Sequence, residues 1–140
     1  MITDTRIVLR TPDQFLELSN VERFEDGSGY ACLLSAGSIS SGRFVCSAHP
    51  FHFNDLEGFI NSLQAASEGV RGKARLAHAY EKDFIEVEVR SCGDVMITGF
   101  ISEFGPPRLE LRFGFGCDQT YLPELLNSLR GVLTELERRP

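Results

Sequence analysis

The stretch from Leu109 to Leu136, LELRFGFGCDQTYLPELLNSLRGVLTEL, limits the fold of this chain more than any other. Leu109, Leu111, Phe113 and Phe115 fall on one side of an extended backbone, while Arg108, Glu110 and Arg112 fall on the other. That period of two marks a half-buried strand. After a short polar turn, Leu122, Leu125, Leu126, Leu129, Val132, Leu133 and Leu136 recur at spacings of three and four. They form one apolar stripe along a helix, and such a helix needs a sheet to lie on. Pro123 falls in the first turn of that helix, where a missing N–H costs little.

The rest of the chain repeats this plan. Ahead of Phe53, apolar groups at Ile7 and Leu9, Leu16 and Leu18, Tyr30, Cys32 and Leu34, and Phe44, Cys46 and Ala48 predict four strands. Turn clusters separate them at Thr11-Pro12-Asp13, 25–29 and 37–42. Asn54, with Glu57 three residues on, is close to a capping box, and the helix it opens carries Leu56, Phe59, Ile60, Leu63 and Ala66 on one face. Gly69 is available there for a left-handed cap. Lys73 to Tyr80, Phe84 to Ser91, Val95 to Glu103 and Arg108 to Phe115 predict four more strands, with turns at 81–83 and Cys92-Gly93-Asp94 and a break at Gly105-Pro106-Pro107.

The expected architecture is therefore α+β: antiparallel sheet, or sheets, with two amphipathic helices in the order β4-α-β4-α, as one domain over 1–140. The two helices share the pattern L-x-x-[FL]-[IL]-N-S-L at a constant offset of 66 residues, Leu56 to Leu63 against Leu122 to Leu129. An internal repeat of 1–68 and 70–137 would explain that match, and so would chance between two amphipathic helices.

Charge narrows the partners. Fourteen Lys and Arg against twenty Asp and Glu give a net charge of −6, which opposes binding to nucleic acid or to an anionic membrane. It suits a basic protein partner, and it equally suits plain solubility. No run approaches the ~18 apolar residues of a membrane span, and the first residues lack a signal-peptide core, so the cytoplasm is the expected compartment. Cys32, Cys46, Cys92 and Cys117 form no C-x-x-C pair and are expected to be buried free thiols.

Motifs for chemistry are sparse. The chain has no G-x-S-x-G, no G-x-x-x-x-G-K and no G-x-G-x-x-G. His49-Pro50-Phe51-His52 followed by Asp55 has the composition of a metal site, but a spacing of three on a strand sends the two histidines to opposite faces. Phe51, Phe53, Phe59, Phe113 and Phe115 are assigned to the core. Neither a catalytic set nor a cofactor site is expected. Glu86 and Glu88 alternate with Ile85, Val87 and Val89 and project from one strand face. With Arg108, Glu110 and Arg112 they offer a mixed-charge surface able to bind a protein; a merely solvated sheet face has the same pattern.

The segment Leu109 to Leu133 resembles the C-terminal part of the WapI-family immunity proteins, most specifically at Asp118-Gln119-Thr120-Tyr121-Leu122-Pro123. Agreement extends to Phe59 to Leu63, to Gly72-x-Ala74-x-Leu76 and to the order of elements. The chain departs from that family in having no Trp, with Tyr30 standing near the usual aromatic position, and in ending Glu137-Arg138-Arg139-Pro140. The resemblance implies a bacterial binding protein that occludes a cognate toxin, a basic nuclease being the partner its charge suits. A small enzyme or ligand-binding domain with a site between sheet and loops, and a structural or oligomerising domain, are the other classes the residues permit. The residues themselves favour a structural part for Asp118 to Thr120, whose side chains can accept bonds from a helix start.

Overall fold

A computed structural model describes residues 5–39, 43–69, 71–78, 80, 82–103 and 105–138, with 43–45 described in backbone only. The expected turn residues Ser40, Ser41, Gly42 and Glu81, the side chain of Phe44 and the terminal Arg139-Pro140 lie outside this description. Eight strands and two helices follow in order: β1 (Ile7–Arg10), β2 (Gln14–Arg23), β3 (Tyr30–Ser38), β4 (Arg43–Phe53), α1 (Leu56–Gly69), β5 (Gly72–Ala77), β6 (Phe84–Val89), β7 (Asp94–Glu103), β8 (Leu109–Asp118) and α2 (Leu122–Arg138). A single 3-10 turn, Gln119–Tyr121, joins β8 to α2. The fold is α+β, built on two antiparallel four-stranded sheets ordered β1-β2-β3-β4 and β5-β6-β7-β8.

The chain divides into two compact units, one comprising Met1–Phe51 with Thr120–Pro140 and the other His52–Gln119. Each helix therefore belongs with the sheet of the opposite sequence half. In the first unit α2 packs on β1 and β2. Its stripe is buried at Leu122, Leu125, Leu126, Leu129, Val132 and Leu136, against Ile7, Leu9, Leu16 and Leu18 in the same core, while Leu133 stays half-buried. Side chains of this size contribute about 1.5–3 kcal/mol each when fully buried. The seat is fixed by a polar contact as well: the Val8 N–H donates to Ser128 Oγ at 3.3 Å, and that hydroxyl donates to the Leu125 carbonyl at 2.9 Å.

In the second unit α1 packs on β5 and β6, burying Leu56, Phe59, Ile60, Leu63 and Ala66. The cap differs from the expected one. Asp55, not Asn54, precedes the helix, and its Oδ1 accepts from the Gly58 N–H at 2.8 Å. The Asn54 N–H is engaged elsewhere, donating to the Ala77 carbonyl at the end of β5 at 3.0 Å. Gly69 is the last residue of α1 and has no positive φ. The glycine that is needed is Gly72, at φ 150°, where an added Cβ would lie 2.9 Å from Ala66 Cβ. That glycine lets β5 start directly beneath the helix.

Register in the second sheet is continuous, with β7 and β8 paired without a bulge from Asp94↔Asp118 to Glu103↔Leu109. Its inner face carries Ala74 and Leu76, Ile85, Val87 and Val89, and Val95, Ile97 and Ile101, all buried. The inner face of β8 is a correction to the sequence expectation. Leu109 and Leu111 are 53% and 37% exposed, and Phe113 and Phe115 are only half-buried, because α1 lies over β5 and β6. The Phe113 ring instead lies over Gly99 of β7, where an added Cβ would collide with it.

The four cysteines are free, and only Cys32 is fully buried; Cys46 and Cys117 are half-buried and Cys92 is exposed in the β6–β7 turn. Burial raises the Cys32 thiol to about 12. Burial, aided by the Asp118 carboxylate, raises Cys117 to about 11. No helix among the described residues is long and apolar enough to cross a membrane.

Candidate functional site: the outer face of the second sheet

Alternation along each strand sends every second residue of the second sheet away from α1. Glu86 and Glu88 of β6, Glu110 and Arg112 of β8, and Arg108 just before β8 all lie on this outer face, as their spacing predicts. They are not adjacent across strands, however. β7 runs between β6 and β8, so Glu86 faces Thr98, Glu110 faces Ser102, and Arg112 faces Phe100.

Pairing across the sheet adds Arg75 and Lys73 of β5, while Arg90 and Arg108 meet their carboxylates at the strand period of two. Glu86 meets Arg75 of β5 at 3.2 Å. Glu88 meets Arg90 at 3.2 Å and Lys73 at 3.8 Å, and Glu110 meets Arg108 at 3.2 Å. Each of these ion pairs is half-exposed and contributes little, about 0–1 kcal/mol. Their effect is on the field of the surface: the two central carboxylates are already matched by cations, so the face is mixed in charge.

One end of the face is closed by a row of stacked cations and rings. The Arg75 guanidinium lies 4.0 Å from the Phe84 ring centroid, Phe84 stacks on Phe100 at 6.4 Å and 22°, and the Arg112 guanidinium lies 4.8 Å from the Phe100 centroid. Cation–π contacts of this exposure stabilise by about 0.5–1 kcal/mol each. Beside this row, Ser102 Oγ donates to the buried Asp83 carboxylate at 2.7 Å. Toward the other end, Gly114 and Gly116 of β8 present bare backbone. A Cβ at either would meet only ordinary contacts, no closer than 3.4 Å, and neither has positive φ.

The other candidate groups lie apart from this face. The His52 ring sits edge-on to His78 at 6.4 Å, and His78 lies 5.8 Å from the exposed Tyr80 ring. Among the described residues no group of three or more His, Cys, Asp or Glu is placed to hold a metal ion. Two hollows flank the β6–β7 turn, one bounded by Arg71, Lys73, Glu88, Arg90 and Cys92, the other by Arg90, Asp94, Met96 and Cys117. Neither contains a histidine.

Asp118 closes β8 opposite Asp94, and the following 3-10 turn leads into α2, so the Asp118 to Pro123 stretch works as a strand-to-helix junction. The Gln119 N–H donates to the Gly93 carbonyl at 3.2 Å, fixing where that junction leaves the sheet.

Compared with known proteins, residues 7–137 match the model of the immunity protein WapI-like family. No curated protein and no solved structure matches.

Proposed function

The chain belongs to the WapI-like immunity protein family, and on that premise we propose that it neutralises a cognate toxin domain by binding it and covering the surface the toxin needs. It turns over no substrate of its own and acts in the bacterial cytoplasm. The observation that carries this reading is the family match, which spans nearly the whole chain rather than a single motif.

We place the toxin contact on the outer face of the second sheet, through Glu86, Glu88, Arg108, Glu110 and Arg112. Two features support that choice. The face offers charge of both signs, two of its arginines being seated on rings, and the unit that carries it holds eleven acidic against seven basic residues. Excess negative charge steers a basic nuclease domain at long range, and the mixed-charge face then selects by pairing at short range. A basic partner would exchange with Arg75, Lys73 and Arg90 for the two central carboxylates.

Coexpression with the C-terminal domain of a toxin gene found adjacent to this one tests the function: cells survive with the wild-type chain, and continued killing at full expression of a folded chain rejects it. The site is tested with Glu86 and Glu88 both replaced by Lys. The association rate with a basic toxin domain should fall by about tenfold or more at low salt. An unchanged rate would remove this face from the contact.

A further inference from the structure

Each sheet has two edge strands, and a strand edge presents unpaired N–H and C=O groups that invite another strand. Three of the four edges carry a device that discourages this. β1 has only four residues, and its Val8 N–H is taken by Ser128. β5 has six residues, and its Ala77 carbonyl accepts from the Asn54 N–H. β4 contains Pro50 and a left-handed residue, Ala48 at φ 52°, both of which interrupt a regular edge.

β8 has none of these. It is ten residues long and paired with β7 without a bulge, and it contains no Pro and no Lys. Leu109 and Leu111 stand exposed on its inner side. On its outer side Arg112 meets the Phe100 ring and, among the described residues, no carboxylate.

We propose that β8 is the interface of a homodimer, in which two copies pair their β8 strands antiparallel about a two-fold axis through Leu111. The occupant is identified by the strand's own self-complementarity. A two-fold interface requires that if residue i faces j, then j faces i. Centred on Leu111, the pairing sets Leu111 against Leu111 and Leu109 against Phe113 of the second copy, twice, on the inner side. On the outer side it sets Glu110 against Arg112 of the second copy, also twice. Arg108 then lies opposite Gly114 of the second copy, where the missing side chain leaves room for the long one.

Neighbouring registers are worse. Centring on Arg112 opposes Arg112 to itself, and centring on Glu110 opposes Glu110 to itself; like charges directly opposite are destabilising. Centring on Phe113 leaves Glu110 and Arg112 both facing glycines, so charge substitutions there distinguish it. The dimer joins two four-stranded sheets into one of eight strands, with the two outer faces continuous.

The test is made on the protein alone, so its outcome is separate from toxin binding. Sedimentation over a concentration series reaching the millimolar range should show a reversible dimer weakened by salt. Glu110→Arg or Arg112→Glu alone should weaken it about tenfold or more, because each change converts two attractive cross-strand pairs into repulsive ones. The double swap restores both pairs and should recover the wild-type dissociation constant to within about threefold. Circular dichroism checks that each variant is folded. As a second readout, Leu111→Cys in a Cys92→Ser background should oxidise to a disulfide dimer, since residues facing each other across a strand pair have the Cα spacing a disulfide needs. A chain that stays monomeric throughout the series, a dimer indifferent to the swaps at 110 and 112, or failure of the Leu111→Cys variant to cross-link would overturn the proposal.

Discussion

The two units solve the same packing problem and finish it differently. Both lay a helix across the first two strands of a four-stranded meander, α2 on β1 and β2, α1 on β5 and β6. The matched helix positions behave alike: Leu56 with Leu122, Phe59 with Leu125, Ile60 with Leu126 and Leu63 with Leu129 are all buried. The seats differ. α2 is held by the Ser128 hydroxyl on an edge-strand N–H, whereas α1 is held by the absence of a side chain at Gly72. The far edges differ more: β4 is interrupted by Ala48 and Pro50, while β8 runs straight for ten residues with leucines exposed. Covering the first strands satisfies the hydrophobic core in either unit, so the last strand is free to vary. The unit that leaves it regular keeps a surface for association.

Gly72→Ala should have the largest effect on this comparison. It forces a Cβ toward Ala66 Cβ at 2.9 Å from a backbone with φ 150°, where L side chains are strained. A loss of about 2 kcal/mol is expected, read as a lower urea midpoint with amide protection lost most in α1 and β5. An unchanged midpoint would mean that α1 has room to shift and that its seat is looser than that distance implies. Ser128→Ala tests the other seat. It leaves the Val8 N–H of β1 without that acceptor and should cost about 1 kcal/mol. A neutral result would leave the first unit's helix contact to apolar burial and to the Arg23 guanidinium, which donates to the Leu136 carbonyl at 3.3 Å.

Periodicity made the elements legible and left their partners dark. Eight strands and two helices follow from apolar spacing and turn residues, and the side of the strand taken by Glu86, Glu88, Arg108, Glu110 and Arg112 follows from alternation alone. What a stripe of leucines does not encode is which sheet it will meet, so the placement of each helix with the other half's sheet was not readable. Phe113 and Phe115 show the same limit: their face is local information, but their burial depends on where α1 lies. Asn54 is the better match to a capping box through Glu57, yet the cap is Asp55, because the Asn54 N–H is committed to Ala77. Lys73 and Arg75 of β5, which pair the central carboxylates, were invisible for want of the strand register, whereas Arg90 follows Glu88 at the strand period of two.

A smaller effect bears on the interrupted edge of the first sheet. Ala48 holds φ 52° in an exposed stretch of β4, and its N–H is taken by Ser35 Oγ at 2.9 Å. Glycine adopts that conformation without the Cβ clash but orders at a greater entropic cost, so Ala48→Gly should raise stability by roughly 0.5 kcal/mol. The rise should come without any new self-association, because Pro50 still interrupts the edge. Association by that variant would show that residue 48 alone was guarding β4.

The smallest effect compares the two β-turns that follow the second strand of each meander. Both use a glycine at positive φ whose N–H donates back to a strand-end carbonyl, Gly27 to Phe24 at 3.0 Å and Gly93 to Arg90 at 3.1 Å. The carboxylate clamps differ in what they hold: Asp26 Oδ1 accepts from the Ser28 backbone N–H at 2.9 Å, whereas Asp94 Oδ2 accepts from the Cys92 thiol at 3.2 Å. Hydrogen bonds from the Ser28 side chain and then its backbone hold the Asp26 carboxyl below its ordinary 3.8. A depressed carboxylate stabilises the fold above that ordinary value, and the contribution is lost as the pH falls through the folded one. In an acid titration followed by NMR, Asp26 should therefore protonate below 3.8 with the Ser28 amide moving in step. Ser28→Gly keeps the backbone donor and removes the hydroxyl, so its midpoint should move part of the way back. If the midpoint stays where it was, the backbone N–H alone sets the Asp26 pKa and the hydroxyl plays no part in the clamp.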